Sequence, residues 1–302
     1  MDAVELKQHA RERGADLIGI GSIDRFSALP AERSPLSIFP ECRSVIVLGR
    51  RVLRGAIRGV EEGTNFSSTY MMFGYRWVED NFLARTTYDV TCWIESNGFE
   101  AVPLFGYAPE GMAQGVPVAP GRPAPNVILD PEFAAQAAGL GEVGLGGFFL
   151  TPEFGTRQRL AMILTDAGLE ADAVSRKHIC GDCGLCAKAC PFGAIHPDKK
   201  VAVGVPGSQM EVASVDYETC RACPNGATAG PGRGSRPDRL AAACGRACMV
   251  KLEEARKCGN TFNSPFRKRR PWALDLLSRP VNADGALKAA DIGCGKQGGK
   301  GT

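Results

Sequence analysis

The first half of the chain alternates short apolar runs with polar, proline- and glycine-rich joints. Residues 2–13 put Ala3, Leu6 and Ala10 on one face among charged positions, which predicts an amphipathic helix with His9 near its edge. The runs 17–20 (Leu-Ile-Gly-Ile) and 44–49 (Ser-Val-Ile-Val-Leu-Gly) are short and β-branched, as buried strands are. A loop punctuated by Pro30 and Pro40 separates them. Over 68–97, Tyr70, Phe73, Trp77, Asn81 and Phe82, then Tyr88, Cys92 and Trp93, fall mostly at steps of three and four, the mark of a long helix. Such an aromatic stripe belongs to a core or lines a large planar cofactor. Gly98 stops the helix and 99–105 reads as the next strand.

Residues 106–126 are dense in proline and glycine, a long irregular stretch of the kind that forms lids. Asp130-Pro131-Glu132 then opens a helix, with Asp as cap, Pro at the first helical position and Glu in the first turn. After 133–138 comes the run Gly139-Leu-Gly-Glu-Val-Gly144-Leu-Gly-Gly147, followed by strands over 148–150 and 160–165. The run contains G-x-G-x-x-G, but a dinucleotide site needs a strand before it and a helix after it. Here the order is reversed. The glycines instead let backbone come close to something, either a neighbouring element or a flat ligand.

The chemistry lies in the cysteines. The 302-residue chain is 44% hydrophobic, ordinary for a globular protein, so its 12 cysteines need a chemical reason. Cys180, Cys183, Cys186, Cys190 and Pro191 have the spacing C-x2-C-x2-C-x3-C-P of bacterial ferredoxins. Zinc would take two separated pairs. Disulfides do not suit a chain without an apolar leader. Further on, Cys220-x2-Cys223-Pro224 and Cys244-x3-Cys248 read as a second such motif split by the glycine- and proline-rich insertion 224–243. In two-cluster ferredoxins the last cysteine of each motif serves the other cluster. That logic assigns one [4Fe-4S] cluster to Cys180, Cys183, Cys186 and Cys248, and a second to Cys220, Cys223, Cys244 and Cys190. Cys42, Cys92, Cys258 and Cys294 remain as ordinary thiols, with Cys258 a rival ligand. His178 and His196 flank the first motif as hydrogen-bonding residues.

Net charge is +3, too small to imply a nucleic-acid binder. Arg51, Arg54 and Arg58 read as a solvated face, and the basic run 266–272 as a solvated tail. Residues 249–258 read as a charged helix, and 283–302 as low-complexity. No apolar stretch of about 18 residues is present, so a cytoplasmic protein away from the membrane is expected.

The blocks 138–144 (Ala-Gly-Leu-Gly-Glu-Val-Gly), 149–157 (Phe-Leu-Thr-Pro-Glu-Phe-Gly-Thr-Arg) and 160–166, followed by the cysteine run, resemble epoxyqueuosine reductases and reductive dehalogenases over roughly 130–195. The resemblance implies an α+β protein. A nitroreductase-like α/β sandwich (1–170) would bind the cofactor and substrate, a ferredoxin-like two-[4Fe-4S] module (171–262) would follow, and 263–302 would be a tail. It implies a corrinoid, cobalamin, held by Gly139, Leu140, Gly141, Gly144 and Arg157, with flavin a lesser option. Asp130, Glu142 and Tyr107 are the candidate proton donors, and Arg159 joins Arg157 as a candidate anion contact. Relatives usually carry a basic residue and an asparagine where this chain has Leu145 and Gly146. Their C-terminal helical repeats, which help hold transfer RNA, have no counterpart here, so nucleic acid is a doubtful partner. The expected protein is a reductase of a small organic substrate fed by a low-potential ferredoxin or flavodoxin. The alternative is an electron-transfer or cofactor-maturation protein without a corrinoid.

Overall fold

The computed structural model of the chain describes residues 1–105, 115–175, 178–228 and 236–281. Tyr107 and Cys294 lie outside these residues. The helix Ala3–Glu12 opens on a capping box in which Asp2 accepts from the Val4 and Glu5 amides while Glu5 accepts from the Asp2 amide. Four strands follow along the chain: β1 (Leu17–Ser22), β2 (Ser44–Arg51), β3 (Ala101–Phe105) and, after the two-residue strands β4 (Glu142–Val143) and β5 (Phe149–Leu150), β6 (Gln158–Thr165). They form one antiparallel sheet in the order β1-β2-β6-β3.

Alternation along β2 and β6 decides the layers. Ile46, Leu48, Ala161 and Ile163 face the helices Ala3–Glu12 and Ala84–Ser96 through Leu6, Ala10, Val90 and Ile94. Val45, Val47, Met162 and Leu164 face the other way, onto Phe26, Phe39, Ala134 and Ala137 of the helix Pro131–Ala137 and its neighbours. A sheet covered on both faces needs continuous apolar strands, which is why 44–49 carries no polar alternation. The result is a mixed α/β sandwich.

The expected helix over 68–97 is helical, but its first part differs in kind. Ser67–Arg76 and Val78–Leu83 are wide π turns, and only Ala84–Ser96 is α-helical. The Met71 amide donates to the Phe66 carbonyl at 3.1 Å, five residues back. In an α-helix, residues five apart point about 140° away from each other. The π turn instead buries Tyr70 and Tyr75 together while Phe73, Trp77 and Phe82 stay exposed. The stripe is thus neither wholly core nor wholly surface.

The second half carries the short helix Leu185–Lys188, the hairpin β7 (Ile195–Val203) and β8 (Met210–Val215), and the helices Tyr217–Arg221 and Ala243–Glu254. The hairpin was not foreseen, because its exposed lysines break the apolar pattern. The helix read at 249–258 starts earlier, at Ala243, and so carries both Cys244 and Cys248.

Residues 263–281 are no solvated tail. Phe266 is buried and Trp272 Nε1 donates to the Val60 and Glu61 carbonyls, each at 3.0 Å. The buried Glu61 carboxylate accepts from Arg246 Nε at 2.8 Å and from Arg267 Nε at 2.7 Å, tying the Cys244–Cys248 helix and this strap to the sandwich. β9 (Ala273–Leu274) and β10 (Pro280–Val281) pair beyond it. The solvated-face reading of the arginines near 54 also changes: Arg54 pairs with Glu253 at 3.1 Å and lies 4.1 Å from the Phe262 ring centroid. Removing one partner of a buried ion pair strands the other charge. Glu61→Ala is therefore expected to lower unfolding free energy by about 3–5 kcal/mol, measured by denaturant titration against wild type.

Candidate iron–sulfur site and adjoining cleft

The first cysteine loop turns through left-handed residues, Asp182 (φ 47°) and Gly184 (φ 66°), before the helix Leu185–Lys188. Glu142 holds it from the sandwich side, accepting the Ile179 amide at 2.9 Å and the Cys180 amide at 2.7 Å. The Leu145 amide donates to Cys180 Sγ at 3.3 Å. Cys248, delivered by the long helix, interacts electrostatically with Cys186, Cys180 and Cys183. The other set, Cys190, Cys220, Cys223 and Cys244, lines a single small cavity with Phe192, Ile195 and Ala242. Cys186 and Cys248 also face Cys244, so the cysteines of both expected groups lie near one another. Among the described residues no three His, Cys, Asp or Glu side chains close on a site for a single metal ion.

Burial pushes these thiols up, Cys186 to about 11 and Cys220 to about 12. A thiol so placed keeps its proton until a coordinated cation displaces it. Four sulfurs around an apolar-walled space fit a [4Fe-4S] cluster by donor chemistry. Cys258 is also pushed up to about 11 by burial, but its charged neighbours are Arg157 and Glu253 rather than either cysteine set. It packs in the same apolar cluster as Cys186 and Cys244.

The glycine run serves this region and not a flat ligand. A Cβ on Gly139 (φ +76°) would stand 2.4 Å from the Ala173 carbonyl oxygen, and one on Gly141 1.9 Å from that of Leu150. On Gly144 it would meet Leu150 Cδ1 at 2.8 Å and Cys180 Sγ at 3.3 Å, and on Gly146 it would meet Cys186 Sγ at 2.7 Å. Leu140 packs in the sandwich core. Arg157 is buried, with its guanidinium on the Val52 carbonyl (3.1 Å) and Asn260 Oδ1 (2.9 Å).

A cleft of ≈ 220 Å³ opens where the sandwich meets the cysteine unit, lined in part by Tyr75, Glu79, Asp130, Glu132, Gly147–Phe149, Arg159, Tyr217 and 236–240. Arg159, the second candidate anion contact, is already engaged. It pairs with Asp238 at 2.8 Å and Glu79 at 3.4 Å, and donates to the Tyr70 hydroxyl at 2.8 Å. Tyr70 in turn donates to Asp238 at 2.5 Å. Arg239 is buried and donates through Nη2 to the Gly146 and Gly147 carbonyls, at 2.9 and 3.1 Å. It lines the cleft and the Cys190–Cys244 cavity alike.

Of the proton donors read from sequence, Asp130 faces the cleft, yet one oxygen caps its helix through the Glu132 and Phe133 amides at 2.8 and 3.1 Å. Glu142 is a correction: its carboxylate is occupied by the cysteine loop and does not line the cleft. Tyr107 is outside the described residues. The carboxyl that was missed is Glu132, counted before only as a helix-start residue. Burial and the Asp130 charge push it up to about 7, against Arg236 and Arg239. Nothing local in sequence announces such a shift.

The five residues expected to hold a corrinoid do not line this cleft. Its volume falls below even the ~300–1,000 Å³ of pockets for drug-sized ligands.

The 4Fe-4S binding domain family matches residues 177–196. Tetrachloroethene reductive dehalogenase of Dehalobacter restrictus is 40% identical over 86 residues, 28% of this chain and 15% of that protein. Epoxyqueuosine reductase of a Synechococcus species is 43% identical over 61 residues, 20% of this chain and 19% of that protein. The chain thus spans less than a fifth of each of these two relatives. Among solved structures, a catabolic reductive dehalogenase in complex with 3-bromo-4-hydroxybenzoic acid matches 84% of this chain and 36% of its own, at TM-score 0.51 and 19% identity, a likeness of fold. The expectation that nucleic acid is a doubtful partner is not borne out by the relatives. One epoxyqueuosine reductase was solved with a modified tRNA stem loop, although a TM-score of 0.43 transfers nothing to this chain. No helix among the described residues is long and apolar enough to cross a membrane. The chain is a relative of the reductive dehalogenases and epoxyqueuosine reductases over part of their length, with a 4Fe-4S binding domain at its first cysteine run.

Proposed function

We propose that this protein is an iron–sulfur reductase of a small molecule bound in the cleft, with Cys180, Cys183, Cys186 and Cys248 holding one [4Fe-4S] cluster and Cys190, Cys220, Cys223 and Cys244 a second. The observation that carries this reading is Arg239, one wall of both the second sulfur cavity and the cleft. When bound, each cluster supplies storage for one electron at a potential tuned by its surroundings. The cysteines ligate, Glu142 and the Leu145 amide fix Cys180, and Glu132 offers a proton at the cleft from a carboxyl matched to neutral pH. A low-potential ferredoxin or flavodoxin is the donor in this reading, and the sandwich is nitroreductase-like in role. Two electrons from the donor and two protons per substrate balance the reduction, one proton leaving Glu132 and one coming from water, and water then reprotonates Glu132.

A second reading, a corrinoid-dependent reductase, draws on the kinship with reductive dehalogenases. Adding cob(II)alamin to the reconstituted protein and recording visible and EPR spectra separates the two, with no spectral change expected.

Iron and sulfide assay after anaerobic reconstitution is expected to give about eight irons per chain. Cys248→Ser and Cys190→Ser should each cost iron, and Cys258→Ser none. About four irons in wild type would remove the second cluster.

Glu132 also yields a pH dependence. Its folded value of about 7 exceeds its ordinary 4.5, so its contribution favours the folded state fully below about 4.5 and is lost as pH climbs through about 7. An infrared titration of the protonated carboxyl band should show a midpoint near 7 that is missing in Glu132→Gln, and a midpoint below 5 would exclude Glu132 as the donor.

A further inference from the structure

Three buried polar atoms belonging to residues that line the cleft have no hydrogen-bond partner: the Tyr75 hydroxyl, Thr156 Oγ1 and Arg239 Nη1. Their residues are 7%, 4% and 5% exposed. Such orphans are rare in folded proteins, so three around one cavity call for an explanation. Arg239 can only donate, and the two hydroxyls can both donate. Nearby carboxylates do not answer them. Asp238 and Glu79 are held by Arg159, at 2.8 and 3.4 Å. Asp130 and Glu132 face Arg236, at 3.9 and 3.6 Å. Arg239 is in no ion pair among the described residues; its Nη2 rests on two carbonyls, and its charge also faces Cys244, Tyr217, Cys220 and Glu132. Three donor atoms left without a hydrogen-bond partner suit a ligand group that only accepts.

We propose that the cleft binds a small carboxylate-bearing molecule whose oxygens accept hydrogen bonds from Tyr75, Thr156 and Arg239. The aromatic walls Phe148, Phe149 and Tyr217 cover its apolar body, and ≈ 220 Å³ limits that body to a few carbons. This specifies the substrate class of the reductase reading and rests on the cleft being the substrate site.

The test measures binding alone, with no reductant present. Crotonate and its neutral amide, crotonamide, are titrated into the reconstituted protein and followed by ligand-observed NMR. Crotonate is expected to bind at least about tenfold more tightly than crotonamide, since a charge-assisted hydrogen bond exceeds a neutral one. Tyr75→Phe and Thr156→Val are each expected to weaken crotonate about tenfold while iron content stays at the wild-type level. Equal affinity for acid and amide, no crotonate binding, or unchanged binding in both variants overturns the proposal. Crotonate binding of this pattern in a protein that shows no electron transfer would sink the reductase reading and leave this one standing.

Discussion

No side chain fits on Gly141, because its Cβ would stand 1.9 Å from the Leu150 carbonyl oxygen. That contact draws β4 against β5 and bends the loop between them toward the cysteines. Gly144 and Gly146 then let the same loop touch Cys180 and Cys186, and two hydrogen-bonded anchors, Glu142 on the Cys180 amide and Leu145 on its sulfur, fix the register. Sandwich and cysteine unit are joined by backbone proximity that larger residues would forbid. The approach of Cys180 and Cys186 to the sandwich depends on it.

The cleft opens beside this junction, and ion pairing shapes it. Arg159 could be an anion contact only if it were free, and Asp238 and Glu79 take it. Tyr70, turned inward by the π helix, completes that cluster. The consequence is a division of labour among three arginines. Arg159 braces the wall, Arg236 offsets Asp130 and Glu132, and Arg239 faces both the sulfur cavity and the open space. This pairing does not follow from neighbours in sequence.

Much of the architecture was legible. The strands at 17–20, 44–49, 99–105 and 160–165 appear as β1, β2, β3 and β6 with small shifts of boundary, because doubly covered strands need unbroken apolar runs. The Asp130-Pro131 helix start was legible because capping is local. The β7–β8 hairpin was not, since its outward face carries lysines where a pattern search wants apolar residues. The strap at 266–272 read as solvent-facing because its partners, Glu61 and Val60, lie about 200 residues earlier in the chain.

By itself the sequence determined that residues 177–196 carry a 4Fe-4S binding motif, because thiolate spacing is a local property. It also determined that the glycines must be close to something. Only the tertiary structure decided what that something is, namely the Leu150 backbone and the first cysteine loop, and that Glu142 and Arg157 are structural. It alone placed Tyr75, Thr156, Glu132 and Arg239 around one cleft. Close approach is made by residues far apart in the chain, and spacing along a chain holds no record of it.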